Sequence, residues 1–142
     1  MSVLQNQSYI ATRLSIIEDV QERLAAVVDR ARKLPPLADS ERVEDNRIEG
    51  CVSRVWMLAT READVCRFRI DAESTLVRGL AHLICEVYDG STSTEILECE
   101  SDILDTLHLT EQLTSTRRHG LKQVHRAIRD FARGQNPAGQ PT

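Results

Sequence analysis

The stretch VSRVWMLATREADVCRFRI, Val52–Ile70, decides the fold of this chain. Its first part, Val52 to Ala59, is short and rich in strand formers. Its second part, Val65 to Ile70, alternates: Cys66, Phe68 and Ile70 share one face, and Arg67 and Arg69 share the other. A period of two marks a strand buried on one side. Thr60-Arg61-Glu62-Ala63-Asp64 between them reads as a hairpin turn. The two strands therefore pair antiparallel, with one face under helices and the other partly polar. Glu41 to Ile48 is the one candidate to extend this sheet.

Helical patterns lie on both sides. Upstream, Leu14, Ile17, Val20, Leu24, Val27, Val28 and Ala31 recur at helical spacing. They predict one helix from Thr12 to Lys33, stopped by Pro35-Pro36. Residues 1–10 are polar and expected to be loosely held. Residues 38–50 read as an acidic loop with a short helical turn near Ser40. Downstream, Asp71 is the expected N-cap of a helix from Ala72 to Tyr88, with Leu76, Leu80, Leu83, Ile84 and Val87 as its apolar stripe. Thr92 and Glu95 form a capping box for a short helix, and another is expected over Asp102–His108. Thr114 caps a last helix, Ser115 to Arg133, with Leu121, Val124, Ile128 and Phe131 on its buried line. This order predicts an α+β fold, a small antiparallel sheet with helices packed on one side. One domain over 1–133 and a disordered tail, GQNPAGQPT, over 134–142 complete the expectation.

Composition narrows the function. The chain has 142 residues, 41% of them hydrophobic and 28% charged, with a net charge of −4. That suits one soluble domain with a sizeable core. Acids and bases are interspersed, and no basic stripe marks a nucleic-acid partner. No apolar run reaches the length of a membrane span, and the start lacks the pattern of a secretory signal. A cytoplasmic protein is expected. Cys51, Cys66, Cys85 and Cys99 are 15, 19 and 14 residues apart. Without a close pair among them no zinc site is expected, and a reducing compartment argues against a disulfide framework. His82, His108, His119 and His125 supply no such pair with a cysteine, and His119 and His125 read as surface residues.

Cys51 stands apart from the other three cysteines, which sit inside apolar patterns. It follows Gly50 in a polar loop, NRIEGCVSRVW (Asn46–Trp56). A neighbour without a side chain lets another backbone or a second sulfur approach the thiol closely. Thiol chemistry is therefore the leading expectation. Cys66 and Cys85 read as small core residues, Cys99 as half exposed, and Trp56 as core beneath the loop. Asn46 is expected to bond its own loop backbone. Ser53 is expected either to donate to the sulfur or to sit in the strand. Arg47 and Arg54 are candidates for nearby positive charge, opposed by Glu49.

Asn46, Ile48, Gly50-Cys51, Ser53 and Val55-Trp56 together resemble the signature of the SufE family. The likeness continues upstream through Lys33-Leu34-Pro35 and Leu37. Downstream it runs through Val77, Gly79-Leu80, Tyr88-Asp89, Glu95-Ile96, Leu109, Leu113, Arg117 and Gly120-Leu121, covering about Leu14 to Ala132. The resemblance implies a fold shared with IscU-type scaffolds. It also implies a sulfur acceptor that takes a persulfide sulfur onto Cys51 from a SufS-like cysteine desulfurase, stimulates that enzyme, and passes the sulfur to an iron–sulfur scaffold. No cofactor is implied on this chain; the pyridoxal phosphate belongs to the desulfurase. Arg117, Asp71 and Glu73 are the implied partner-binding residues, with helix capping as the other reading of Asp71. The family leaves a homodimer open.

The chain also departs from the family pattern. Leu24 and Val27-Val28 replace aromatic residues, Ala31 stands where glycine is common, and Asp71-Ala72-Glu73-Ser74 and Ala63 to Val65 differ from the usual run. These changes bear on which desulfurase is served. Two other functions compete: a binding module that activates a desulfurase without carrying sulfur, and an IscU-type cluster scaffold. A scaffold needs several converging ligands, and Cys66 and Cys85 read as buried.

Overall fold

The computed structural model describes residues 2–134. Helix α1 (Val3–Ser15) and helix α2 (Val20–Arg32) come first, followed by a 3-10 turn at Glu44–Asn46. Strands β1 (Val55–Glu62) and β2 (Val65–Ala72) form the hairpin. Helices α3 (Thr75–Tyr88), α4 (Ser93–Glu98), α5 (Ile103–Thr106) and α6 (Ser115–Ala132) complete the fold, with a 3-10 turn at Thr110–Gln112 before α6. The sheet has two strands in antiparallel register, Met57 opposite Ile70 and Glu62 opposite Val65. Only Ala63 and Asp64 turn the hairpin, and Ala63 takes a positive φ of 54° to do so. Cys66, Phe68 and Ile70 are buried and Arg67 and Arg69 exposed, as the alternation predicts.

Helix α3 is the centre of the core. Leu80, Ala81, Leu83, Ile84, Val87 and Tyr88 are all buried. It packs on α2 and β2, and also against α1 and α6. Gly79 permits the α2 contact: a Cβ there would stand 2.9 Å from the Cα of Val28. This is the expected α+β fold. Among the described residues no helix is long and apolar enough to cross a membrane.

Several expected elements are corrected. Residues 1–10 are not loose, because Ser2 caps α1 in a reciprocal box with Gln5. Val3, Asn6, Ile10 and Leu14 form the buried face of α1, and Asn6 donates its side-chain amide to the Val87 carbonyl at 3.0 Å. The single helix from Thr12 to Lys33 is two helices. Asp19 caps α2, and Arg23 clamps the break by donating to the Ile17 carbonyl at 3.0 and 2.7 Å. Strand β1 starts at Val55 rather than Val52, because β2 ends opposite Val55. Glu41–Ile48 adds no strand; it touches β1 by a single bridge, Arg47 to Trp56.

Asp71 does not cap α3. It lies inside β2, and Ser74 is the cap, accepting from the Val77 amide at 3.3 Å. The capping box of Thr92 and Glu95 and the cap at Thr114 are both present. The helix expected over Asp102–His108 is one turn, Ile103–Thr106. His125 is not a surface residue: its ring stacks edge-on against Tyr88, and burial lowers its pKa. The expected tail lies outside the described residues from position 135 onward.

Candidate functional site at Cys51

The Cys51 loop is pinned at both ends. At its start Ile48 is buried and its amide donates to the Val55 carbonyl at 2.8 Å. At its end the Arg54 amide donates to the Glu73 carboxylate at 3.0 Å, and the Glu73 amide donates to the Arg54 carbonyl at 3.0 Å. Asn46 donates to the Glu41 carbonyl at 2.8 Å, the backbone role expected of it. Glu41 itself binds Arg69 of β2 at 2.7 Å, which ties the acidic loop to the hairpin. Between these anchors Gly50 has φ +86°, and a Cβ there would stand 3.1 Å from Cγ of Gln123 on α6. Glycine therefore serves twice: it allows the turn, and it lets the loop lie on α6.

Cys51 is half buried, and its thiol donates to the carbonyl of Gly120 in α6 at 3.5 Å. Beside it opens a cavity of about 360 Å³, lined by Cys51, Val52, Ser53, Val55, Ser74, Val77, Thr114, Thr116, Arg117 and Gly120. The start of α6 forms one wall, and the start of α3 with the loop forms the other. Burial pushes the Cys51 thiol above its ordinary pKa, and the charge of Arg47 opposes that in part. In this seat the sulfur is a sheltered neutral thiol. Val52, the next residue, is 84% exposed.

The other expected site residues divide into two groups. Ser53, outside β1, lines the cavity, but the sulfur's hydrogen bond runs to Gly120. Arg117 is exposed and lines the same cavity. Trp56 is buried core in β1. Arg54 turns to Glu73, with Nε 3.3 Å from the carboxylate, so its charge is engaged away from the thiol. Glu73 is exposed beside the loop.

Asp71 is only 3% exposed, and its carboxylate is engaged inside the fold. Its carboxylate accepts from Arg78 at 2.8 Å and from the Leu37 amide at 3.1 Å. Arg78 in turn donates to the carbonyls of Ala31 at 2.6 Å and Leu34 at 3.2 Å. This pair joins β2, α3 and the end of α2.

Cys66 and Cys85 are buried and Cys99 is partly so. Among the described residues no three His, Cys, Asp or Glu side chains converge as metal ligands. The roles of Gly120 and Gln123 were not visible from the sequence. The available signals were the place of Gly120 in the family resemblance and a glycine inside the helical run STRRHGLKQV, where it costs about 1 kcal/mol relative to alanine.

Comparison with known proteins fits this geometry. The SufE family pattern, described as an Fe-S metabolism associated domain, matches residues 8–132. An uncharacterised SufE-like protein of Rhizobium meliloti is 29% identical over 129 residues, 87% of this chain and 92% of that protein. One from Rhizobium etli is 30% identical over 122 residues, 82% of each. The solution structure of a hypothetical protein from Thermus thermophilus superposes with a TM-score of 0.73 at 20% identity, over 91% of this chain and 94% of that one, and so shares the fold. The chain belongs to the SufE family, whose domain is associated with iron–sulfur metabolism.

Proposed function

We propose that this protein is a sulfur acceptor and carrier that takes a persulfide sulfur from a cysteine desulfurase onto Cys51. The observation that carries this reading is the seat of Cys51: one thiol on a glycine-led loop, half sheltered over a cavity, with the exposed Val52 at its side. The Cys51 thiolate attacks the outer sulfur of the partner's persulfide. A new sulfur–sulfur bond forms, the partner's bond breaks, and the partner cysteine leaves as a thiolate. No net oxidation occurs, and the product is a persulfide on Cys51.

Removing the sulfur frees the desulfurase for another turnover, so acceptance is also stimulation. The partner is a SufS-like enzyme that carries the pyridoxal phosphate; this chain contributes the thiol and the docking surface around Val52, Glu73 and Arg117. The sulfur then passes to an iron–sulfur scaffold, and the reaction belongs in the cytoplasm. The burial of Cys66 and Cys85 argues against the scaffold role for this chain itself.

Intact-protein mass spectrometry after incubation with a cysteine desulfurase, pyridoxal phosphate and cysteine tests the reading. Wild type should gain one sulfur, about 32 Da, and Cys51→Ser should not. Undiminished stimulation of the desulfurase by Cys51→Ser would instead establish a non-carrying activator.

A further inference from the structure

We infer that Gly120 is a positioning residue that reserves room for the second sulfur when Cys51 carries one. The inference rests on the carrier reading of Cys51. Gly120 lies within α6, an 18-residue helix, where glycine is the poorest choice short of proline. Its φ is not positive, so the backbone does not require it. A Cβ built there meets a single neighbour within 4 Å outside the local helix: the Sγ of Cys51, at 3.7 Å. That is ordinary contact, so the thiol form has space for a methyl group. Compare Gly79, where a Cβ would come within 2.9 Å of a neighbouring backbone. Gly79 serves helix packing; at Gly120 the sulfur is the one neighbour within 4 Å beyond the local helix.

A persulfide makes use of that space. The outer sulfur takes the place of the thiol hydrogen, about 2.05 Å from Sγ. The Gly120 carbonyl, 3.5 Å from Sγ, excludes it from the line of the present hydrogen bond. Rotation about Cβ–Sγ must carry it aside, and the region over the Gly120 Cα is open. With a methyl group 3.7 Å from Sγ, an outer sulfur within about 70° of that direction would approach closer than 3.5 Å. The variant therefore accommodates the thiol and crowds a persulfide whose outer sulfur lies over Gly120.

The test loads sulfur with inorganic tetrasulfide and, separately, with a cysteine desulfurase. Thiolate attack on the terminal sulfur of tetrasulfide yields the persulfide and releases trisulfide, with charge conserved. Wild type, Gly120→Ala and a Cys51→Ser blank are followed by mass spectrometry during reduction with dithiothreitol. Gly120→Ala should melt at or above the wild-type temperature, and its free Cys51 should alkylate at close to the wild-type rate. Its persulfide should be lost about tenfold faster, the factor expected from crowding by one added atom. Equal persulfide lifetimes, or a variant that melts below wild type, overturn the inference while the carrier reading stands. A wild type that holds no sulfur on Cys51 by either route overturns both.

Discussion

Replacing Asp71 with alanine separates a structural carboxylate from a docking one. The side chain accepts two hydrogen bonds from distant partners, Arg78 Nε at 2.8 Å and the Leu37 amide at 3.1 Å. Both involve a charged acceptor, and such bonds contribute about 1.5–3 kcal/mol each. Their loss, with the partly buried Arg78 guanidinium left without its counter-charge, sums to about 3–5 kcal/mol, the range found when one partner of a buried pair is removed. For a chain of this size that lowers the melting midpoint by roughly 10–20 °C. Urea denaturation of wild type, Asp71→Ala, Arg78→Met and the double variant measures it. The double variant should recover a large part of the loss, because no unpaired charge remains.

Below its own midpoint, Asp71→Ala should still accept sulfur on Cys51. A loss of less than about 1 kcal/mol, the value of an exposed pair, would refute the structural role. If stimulation of the desulfurase also vanished in that folded variant, Asp71 would be a contact residue after all.

Other outcomes follow from the same geometry. Gly50→Ala should cost about 1–2 kcal/mol, since it combines a positive φ with a Cβ pressed on Gln123; urea denaturation checks the cost, and iodoacetamide labelling should show Cys51 reacting faster as the loop lifts. The pH at which wild-type Cys51 reaches half its maximal alkylation rate should lie above that of a free cysteine, and Arg47→Ala should raise it further by removing the charge that favours thiolate. His82, whose Nε2 is buried with no hydrogen-bond partner among the described residues, has its pKa lowered from 6.5 to about 4 mainly by burial. The unfolded chain then takes up the proton first as pH falls, so stability is full above pH 6.5 and declines toward pH 4; His82→Leu should flatten that decline by about 1–2 kcal/mol, allowing for partial solvent contact.

The hairpin was legible because its alternation is local and survives in the register, residue by residue. Helix α1 was not, because Asn6 occupies the position where an apolar residue would have completed its stripe. That amide is satisfied by the Val87 carbonyl, 81 positions away, a partner no local pattern reveals. The merged first helix has the same kind of cause: Ile17 and Val20 continue the apolar rhythm across a break that Arg23 holds through tertiary bonds. Asp71 was misread because an aspartate just ahead of an apolar run looks like a cap, while Ser74 was available three residues later. The Cys51 loop was legible as a glycine–cysteine pair in polar sequence. Its seat was not, since Gly120 and Gln123 approach it from the far end of the chain.

That seat sets where the chemistry belongs. Burial raises the Cys51 pKa and so lowers the thiolate fraction in this seat. Holding the sulfur down are one weak sulfur–carbonyl hydrogen bond and the partial burial of Cys51 against the core. Neither is strong, whereas the anchors at Ile48 and at Arg54–Glu73 bind the ends of the same loop with backbone hydrogen bonds of 2.8–3.0 Å. The structure therefore predicts that residues 49–53 lift off α6 more readily than either anchor breaks, and faster iodoacetamide labelling of Cys51 in Gly50→Ala checks it. Lifting hydrates the sulfur, removes the burial that raises its pKa, and carries the exposed Val52 toward whatever approaches. On the proposed carrier reading, a partner that buries Val52 should favour the lifted loop, and its departure should let the loaded sulfur return to the cavity.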